Sequence, residues 1–231
     1  MSDSKNYGRE YFEGIYAHLK KEKGLLLESF LTLLFPRAEE IKRILDLGCA
    51  EGGFLEICQE KGIDVYGVDI SAYALKKAKK RVKGELIRLD LENEKLPWPD
   101  GFFDVVTVFD LLEHLRSSNL LFSETQRVLK RGGLFFATTP NADFILAKSL
   151  GKVIPGDKTH VNLQGSKYWL DQLEKANFSK IEIKGCLLFG LPPSLNLRHF
   201  LRRLKIPVLT RPIFFPILSL TPELFLFAWK E

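Results

Sequence analysis

The sequence predicts an α/β fold around a mostly parallel β-sheet with helices on both faces. Three observations carry this. From Lys42 onward, short apolar runs alternate with stretches of helical periodicity, the pattern of βαβ units. Runs such as Val105–Val108 are continuously apolar, as strands buried on both faces require. Glycines follow the first run at once, in Asp46-Leu47-Gly48-Cys49-Ala50-Glu51-Gly52-Gly53, where a strand turns sharply into a helix.

Taken in order, residues 7–35 read as helical. Tyr11, Ile15 and Leu19, then Leu25, Leu26, Phe30, Leu33 and Leu34, form an apolar stripe. Gly24 divides it into two helices and Pro36 stops the second. Residues 1–40 are thus expected to be N-terminal helices outside a core domain of residues 41–231. Strands are expected at Arg43–Leu47, Val65–Val68, Glu85–Leu89, Phe103–Phe109, Leu134–Thr138, Ile181–Gly185 and Leu224–Trp229. Helices are expected at Gly53–Lys61, Ala72–Val82, Leu120–Leu129 and Lys167–Ala176. Residues 187–221 read as a variable apolar and basic insertion before the last strand. In such sheets, ligands bind beyond the carboxyl ends of the strands.

Composition narrows the function classes. The chain has 231 residues, 45% hydrophobic and 27% charged, which suits one globular domain with a sizeable core. Its 34 basic and 29 acidic side chains leave a net charge of +5, compatible with an anionic partner and demanding none. Cys49, Cys58 and Cys186 lack disulfide or zinc spacing, so a cytoplasmic setting is expected. The polar segment Met1–Glu10 does not read as a signal peptide. Ile206–Leu220 is interrupted by Pro207, Arg211, Pro212 and Pro216, and no run of about 18 apolar residues predicts a membrane span.

Three acids carry the site argument. Asp46 precedes the glycines, where it would repel a pyrophosphate and attract an ammonium, against the dinucleotide fingerprint and an NAD-dependent oxidoreductase. Asp69 ends the second strand 23 residues later, close to the roughly 20-residue spacing that places an acid on ribose hydroxyls. The plain structural alternative is a helix N-cap, a task that Ser71 can take instead. Asp90 ends the third strand, where it can accept from an adenine amino group while the Leu91 N–H donates to a ring nitrogen. A turn-capping aspartate is the alternative there.

These acids and the glycine loop resemble the class I S-adenosylmethionine-dependent methyltransferases over roughly residues 40–185. The resemblance continues in Phe102-Phe103-Asp104-Val105-Val106, in Val128-Leu129-Lys130-Arg131-Gly132-Gly133-Leu134 and in Thr138-Thr139-Pro140-Asn141. One departure is Ala50, where the family often has glycine. The resemblance implies a Rossmann-like seven-stranded sheet with an antiparallel last strand beside the sixth. It implies S-adenosylmethionine as cofactor, with S-adenosylhomocysteine as product. Asp46, Gly48 and Gly52 would contact its methionine part, Asp69 the ribose, and Asp90 and Leu91 the adenine, with Cys49 and Ile70 also in the cofactor site. Phe109 and Asp110 would line the cofactor near the methyl group.

Phe109-Asp110-Leu111-Leu112-Glu113-His114-Leu115 follows the fourth strand. In a helical turn, Asp110, Glu113 and His114 would share one face, with His160 returning over the same pocket. Three readings stand in this order: Glu113 and His114 shape the pocket; His114 or His160 acts as general base; or Asp110, Glu113, His114 and His160 bind a divalent metal. The metal-binding set is similar to that of small-RNA terminal 2′-O-methyltransferases and partly to ubiquinone-type O-methyltransferases.

The expected reaction is methyl transfer to a small-molecule acceptor at a hydroxyl oxygen, with an apolar or lipid-linked acceptor suggested by the Leu-, Phe- and Pro-rich segments. The basic amphipathic stretch Leu197–Lys205 would either pack on the domain as a lid or touch an anionic membrane. An RNA acceptor is disfavoured because no dense basic patch with interleaved aromatics is present. A non-catalytic S-adenosylmethionine-binding module is the rival from another class.

Overall fold

The computed structural model describes residues 7–13, 41–145, 159–186 and 214–231. The described strands are β1 (Arg43–Leu47), β2 (Asp64–Asp69), β3 (Glu85–Arg88), β4 (Phe103–Phe109), β5 (Leu129–Pro140), β6 (Lys180–Cys186), β7 (Phe214–Phe215) and β8 (Glu223–Trp229). The described helices are α1 (Arg9–Glu13), α2 (Gly53–Glu60), α3 (Ala72–Ala78), α4 (Asn119–Val128) and α5 (Ser166–Lys175). Most of the predicted N-terminal helices and the stretch Leu197–Lys205 lie outside the described residues.

The strands form one sheet in the order β3-β2-β1-β4-β5-β8-β6-β7. β1 is parallel to β2 and β4, β2 to β3, and β4 to β5. β8 runs antiparallel between β5 and β6. This is the expected mostly parallel sheet with an inserted antiparallel last strand. An eighth strand, the two-residue β7, is added at the edge and pairs with Gly185 and Cys186.

Period-two alternation builds two cores, one on each face of the sheet. Leu45, Leu47, Val106, Val108, Phe135, Ala137, Leu224 and Leu226 face α4 and α5, with Phe122 and Trp169 between them. Ile44, Val105, Phe136, Phe225 and Phe227 face α2 and α3, with Phe54, Leu55, Cys58, Leu75 and Ala78. Burying both faces leaves only the sheet's ends and loops to hold a ligand. The strand order reverses between β1 and β4, so the loops after these strands flank the crevice where such sheets bind ligands.

β5 is longer than the apolar run predicts. The expected helix-ending turn Lys130–Gly133 belongs to it, as an irregularity in which Phe103 pairs with Leu129 and Val105 next pairs with Leu134. Gly132 takes φ 75° there. Backbone pairing with Lys230 at the far end draws these residues into the sheet.

Candidate functional site

The loop after β1 is held open by left-handed residues. Gly48, Ala50 and Gly52 have φ of 80°, 49° and 77°. The N–H groups of Gly48 and Cys49 both donate to the Val68 carbonyl, at 2.8 and 2.9 Å. This pins the loop across the end of β2. A Cβ on Gly52 would press on Val82 at 2.9 Å, so glycine is demanded here by backbone and space together. Ala50 carries the unfavourable conformation that glycine would relieve.

Asp69 closes the same loop from below. Its Oδ2 accepts from Ala50 N at 2.8 Å and its Oδ1 from Ser71 N at 2.7 Å. Burial raises its pKa, opposed by these two backbone donors. An ionised carboxylate has about four acceptor positions, so each oxygen retains capacity for a ribose hydroxyl. Ser71, not Asp69, caps α3: its Oγ accepts from Ala74 N. The structure thus assigns the cap to Ser71, one of the two alternatives the sequence left open.

Asp46 lies in β1, nearly fully buried, and accepts from the Thr107 hydroxyl at 2.8 Å. It tightens β1 against β4 and places negative charge beneath the glycine loop. Cys49 is buried against Gly67, and burial, with Asp69 and Asp46 nearby, pushes its thiol well above the ordinary range. Ile70 is half-buried and its carbonyl accepts from Arg88 Nε at 2.9 Å.

Asp90 caps a turn. Its Oδ1 accepts from Glu92 N and its Oδ2 from Asn93 Nδ2. Glu92 in turn accepts from the N–H groups of Arg116 and Ser117, which ties the Asp90 loop to the segment after β4. Leu91 is buried. Both alternatives weighed for Asp90 are therefore compatible with its place at the strand end.

After β4 the chain departs from a regular helical turn. Phe109 packs edge-on against Phe54 and Phe136. Asp110 has φ 48°, its N–H donates to the Thr138 carbonyl, and its carboxylate accepts from the Thr138 hydroxyl. Leu112–His114 then form a 3-10 turn. The left-handed step turns Asp110 toward β5, so it is absent from the cluster that the other three residues make. That cluster is Glu113, His114 and His160, whose nearest ligand atoms all lie within 4.8 Å of one another.

The Glu113 carbonyl builds this cluster by accepting from Val161 N and Asn162 N, both at 2.9 Å. The loop after β5 is thereby pulled across, and the His160 ring meets the His114 ring at 4.7 Å. Glu113 is buried and accepts from the Thr139 hydroxyl at 3.2 Å. His114 Nδ1 lies 3.2 Å from the Thr159 carbonyl and 3.0 Å from its hydroxyl. The sequence gives no sign of Thr159 and Tyr7, and it marks Asn141 only as part of a strand-end motif. Tyr7 packs its ring against His114. Asn141 bonds the carbonyls of Leu218 and Thr221, which fastens the 3-10 turn Leu218–Leu220 to the end of β5. None of these contacts is local, so no spacing announces them.

A family model described as a methyltransferase domain matches residues 15–183. A protein of Mycolicibacterium smegmatis named as a probable S-adenosylmethionine-dependent methyltransferase is 28% identical over 159 residues, 68% of this chain and 59% of its own. A ubiquinone biosynthesis O-methyltransferase of Idiomarina loihiensis is 31% identical over 107 residues, 43% of each protein. The chain thus spans about half the length of the curated relatives it matches. Among solved structures, an S-adenosylmethionine-dependent methyltransferase of Thermotoga maritima superposes with a TM-score of 0.71 at 17% identity, over 96% of this chain and 98% of that one. One from Archaeoglobus fulgidus gives 0.65 at 24% identity, over 93% and 100%. The glycine loop, the buried strand-end acid and the family match together place this chain in the class I S-adenosylmethionine-dependent methyltransferases.

Proposed function

We propose that the chain transfers a methyl group from S-adenosylmethionine to a hydroxyl oxygen of a small acceptor with an apolar body. The observation that carries the oxygen preference is the convergence of Glu113, His114 and His160 beside the crevice. The cofactor, when bound, supplies an electrophilic methyl on a sulfonium, and transfer is an in-line displacement governed by placement of the nucleophile.

The chain's own residues have separate tasks. Gly48, Cys49 and Gly52 shape the cradle for the methionine part, over the negative field of Asp46. Asp69 and Ile70 hold the ribose, Asp90 and Leu91 the adenine, and Phe109 and Asp110 flank the reacting end. In the tautomer that carries its proton on Nδ1, His114 would donate to the Thr159 carbonyl and keep Nε2 as the basic atom. As the acceptor oxygen takes the methyl, its O–H bond breaks and His114 or His160 receives the proton.

The apolar acceptor is supported by Ile145, Val161, Leu163, Ile217 and Leu220, the exposed large hydrophobic residues among those described. They lie on loops tied together at the end of β5, through Ala142 N to the Gln164 carbonyl and Asn141 to the Leu218 carbonyl.

A second reading rests on the same cluster: a carboxylate and two imidazoles at this separation suit a hard-to-borderline divalent ion. The test is a homocysteine-release assay across alcohols and phenols with apolar tails, run with and without chelator. Turnover that resists chelation and falls about 100-fold or more in His114→Ala, with S-adenosylhomocysteine still bound, supports the base. Loss on chelation with recovery on Mg²⁺ addition supports the metal. Turnover on amines alone would overturn oxygen transfer.

A further inference from the structure

We infer that Tyr7 is a positioning residue that holds the His114 ring and links it to the cofactor side of the crevice. The inference rests on the reading of His114 as facing the acceptor. Tyr7 touches both banks. Its carbonyl accepts from Ser71 Oγ at 2.7 Å, and Ser71 N donates to Asp69, which also receives Ala50 N. Its ring meets the His114 ring edge-on, with centroids 5.9 Å apart and planes at 89°. One residue thus spans from the ribose acid to the acceptor-side histidine.

The short segment around it is fastened a second time. Phe12 is buried beside Tyr73. The Tyr73 hydroxyl donates to Glu13 at 2.7 Å. Lys77 lies over the Tyr73 ring and pairs with Glu51 at 2.9 Å, and Glu51 belongs to the glycine loop. Both fastenings of α1 therefore end on loops that cradle the cofactor.

His114 needs such support. It ends a 3-10 turn of three residues, a geometry with poor backbone bonds. Thr159 holds the ring at Nδ1, and the Tyr7 edge contact restricts its rotation. Thr159, the His160 ring and the Tyr7 edge all restrain the His114 ring, so undocking Tyr7 removes one of these restraints and couples the seating of residues 7–13 to the alignment of His114.

Hydrogen exchange on the full chain tests this. In the free protein, Tyr7→Ala should speed exchange about fivefold at His114, Leu115, Val161 and Asn162, the change expected for loss of one aromatic pair. Exchange across Val105–Val108 should stay unchanged, and Tyr7→Phe should restore protection. Ser71→Gly keeps an accepted helix cap but loses the hydroxyl, and should reproduce the effect without adding to that of Tyr7→Ala. S-adenosylhomocysteine should slow exchange at His114 and Leu115 in the wild type and lose that effect in Tyr7→Ala. Faster exchange confined to residues 7–13 and 71–75 would overturn the inference, leaving Tyr7 as cover only. Additive effects of the two substitutions would also overturn it. Failure of the wild type to bind S-adenosylhomocysteine would sink the methyltransferase reading instead, while the free-protein pattern still judges Tyr7.

Discussion

Asp69 concentrates the chemistry of the site in one side chain. Burial favours its neutral form, and two backbone donors favour the charge. Its raised pKa means that ionisation opposes folding: this cost is absent below the ordinary aspartate range, grows as pH rises from there to the raised folded-state value, and is constant above it. Ribose hydroxyls would add donors and recover it on binding. Asp69→Asn removes the charge and one acceptor, so S-adenosylhomocysteine affinity should fall at least about tenfold by calorimetry. Unchanged affinity would remove Asp69 from the site. Ala50 offers a second residue-scale test. An L-residue in the left-handed region costs about 1–2 kcal/mol, partly offset because glycine frees the unfolded chain by about 0.4–1 kcal/mol. Ala50→Gly should therefore stabilise the protein by up to about 1.5 kcal/mol in urea denaturation. The strand-end place of Asp69 and the capping capacity of Ser71 were legible in sequence because strand ends and helix caps are local patterns. The contacts of Tyr7 and Thr159 with His114 were not, since nothing local couples them.

Elements show where local rules yield to pairing. The span of β4 matches its apolar run, but β5 extends beyond its own because the Lys130–Gly133 backbone finds partners in the sheet. The turn after β4 is likewise not the helix its spacing suggests. Asp110 bonds β5 instead, which removes it from the Glu113–His114–His160 group. At the α4 end, Arg127 donates to Glu124, Asp100 and the Leu96 and Trp98 carbonyls. Its guanidinium, with Leu96 N, holds the Glu124 carboxyl below the usual range. That stabilisation is present above the ordinary glutamate value and is lost as pH falls through the lowered one. Arg127→Lys cannot reproduce the fork and should cost about 1–3 kcal/mol. The difference from wild type should shrink in acid denaturation. A pH-independent difference would mean that the two backbone carbonyls, not Glu124, dominate.

For the whole molecule, the fold class, seven of the eight described strands, the two-faced core and the strand-end placement of Asp69 and Asp90 followed from the sequence alone. Periodicity, strand-end placement and glycine spacing are written along the chain, and burying both faces of a sheet leaves few other solutions. The assembly of the acceptor side was decided by tertiary structure. His160 reaches His114 because the Glu113 carbonyl captures the loop after β5, and Asp110 turns away through a single left-handed residue. The two-residue β7 joins the sheet only because β6 presents Gly185 and Cys186 to it. These outcomes depend on backbone hydrogen bonds between distant segments, whose donors and acceptors every residue carries alike. Composition and spacing therefore leave no trace of which pairs will form.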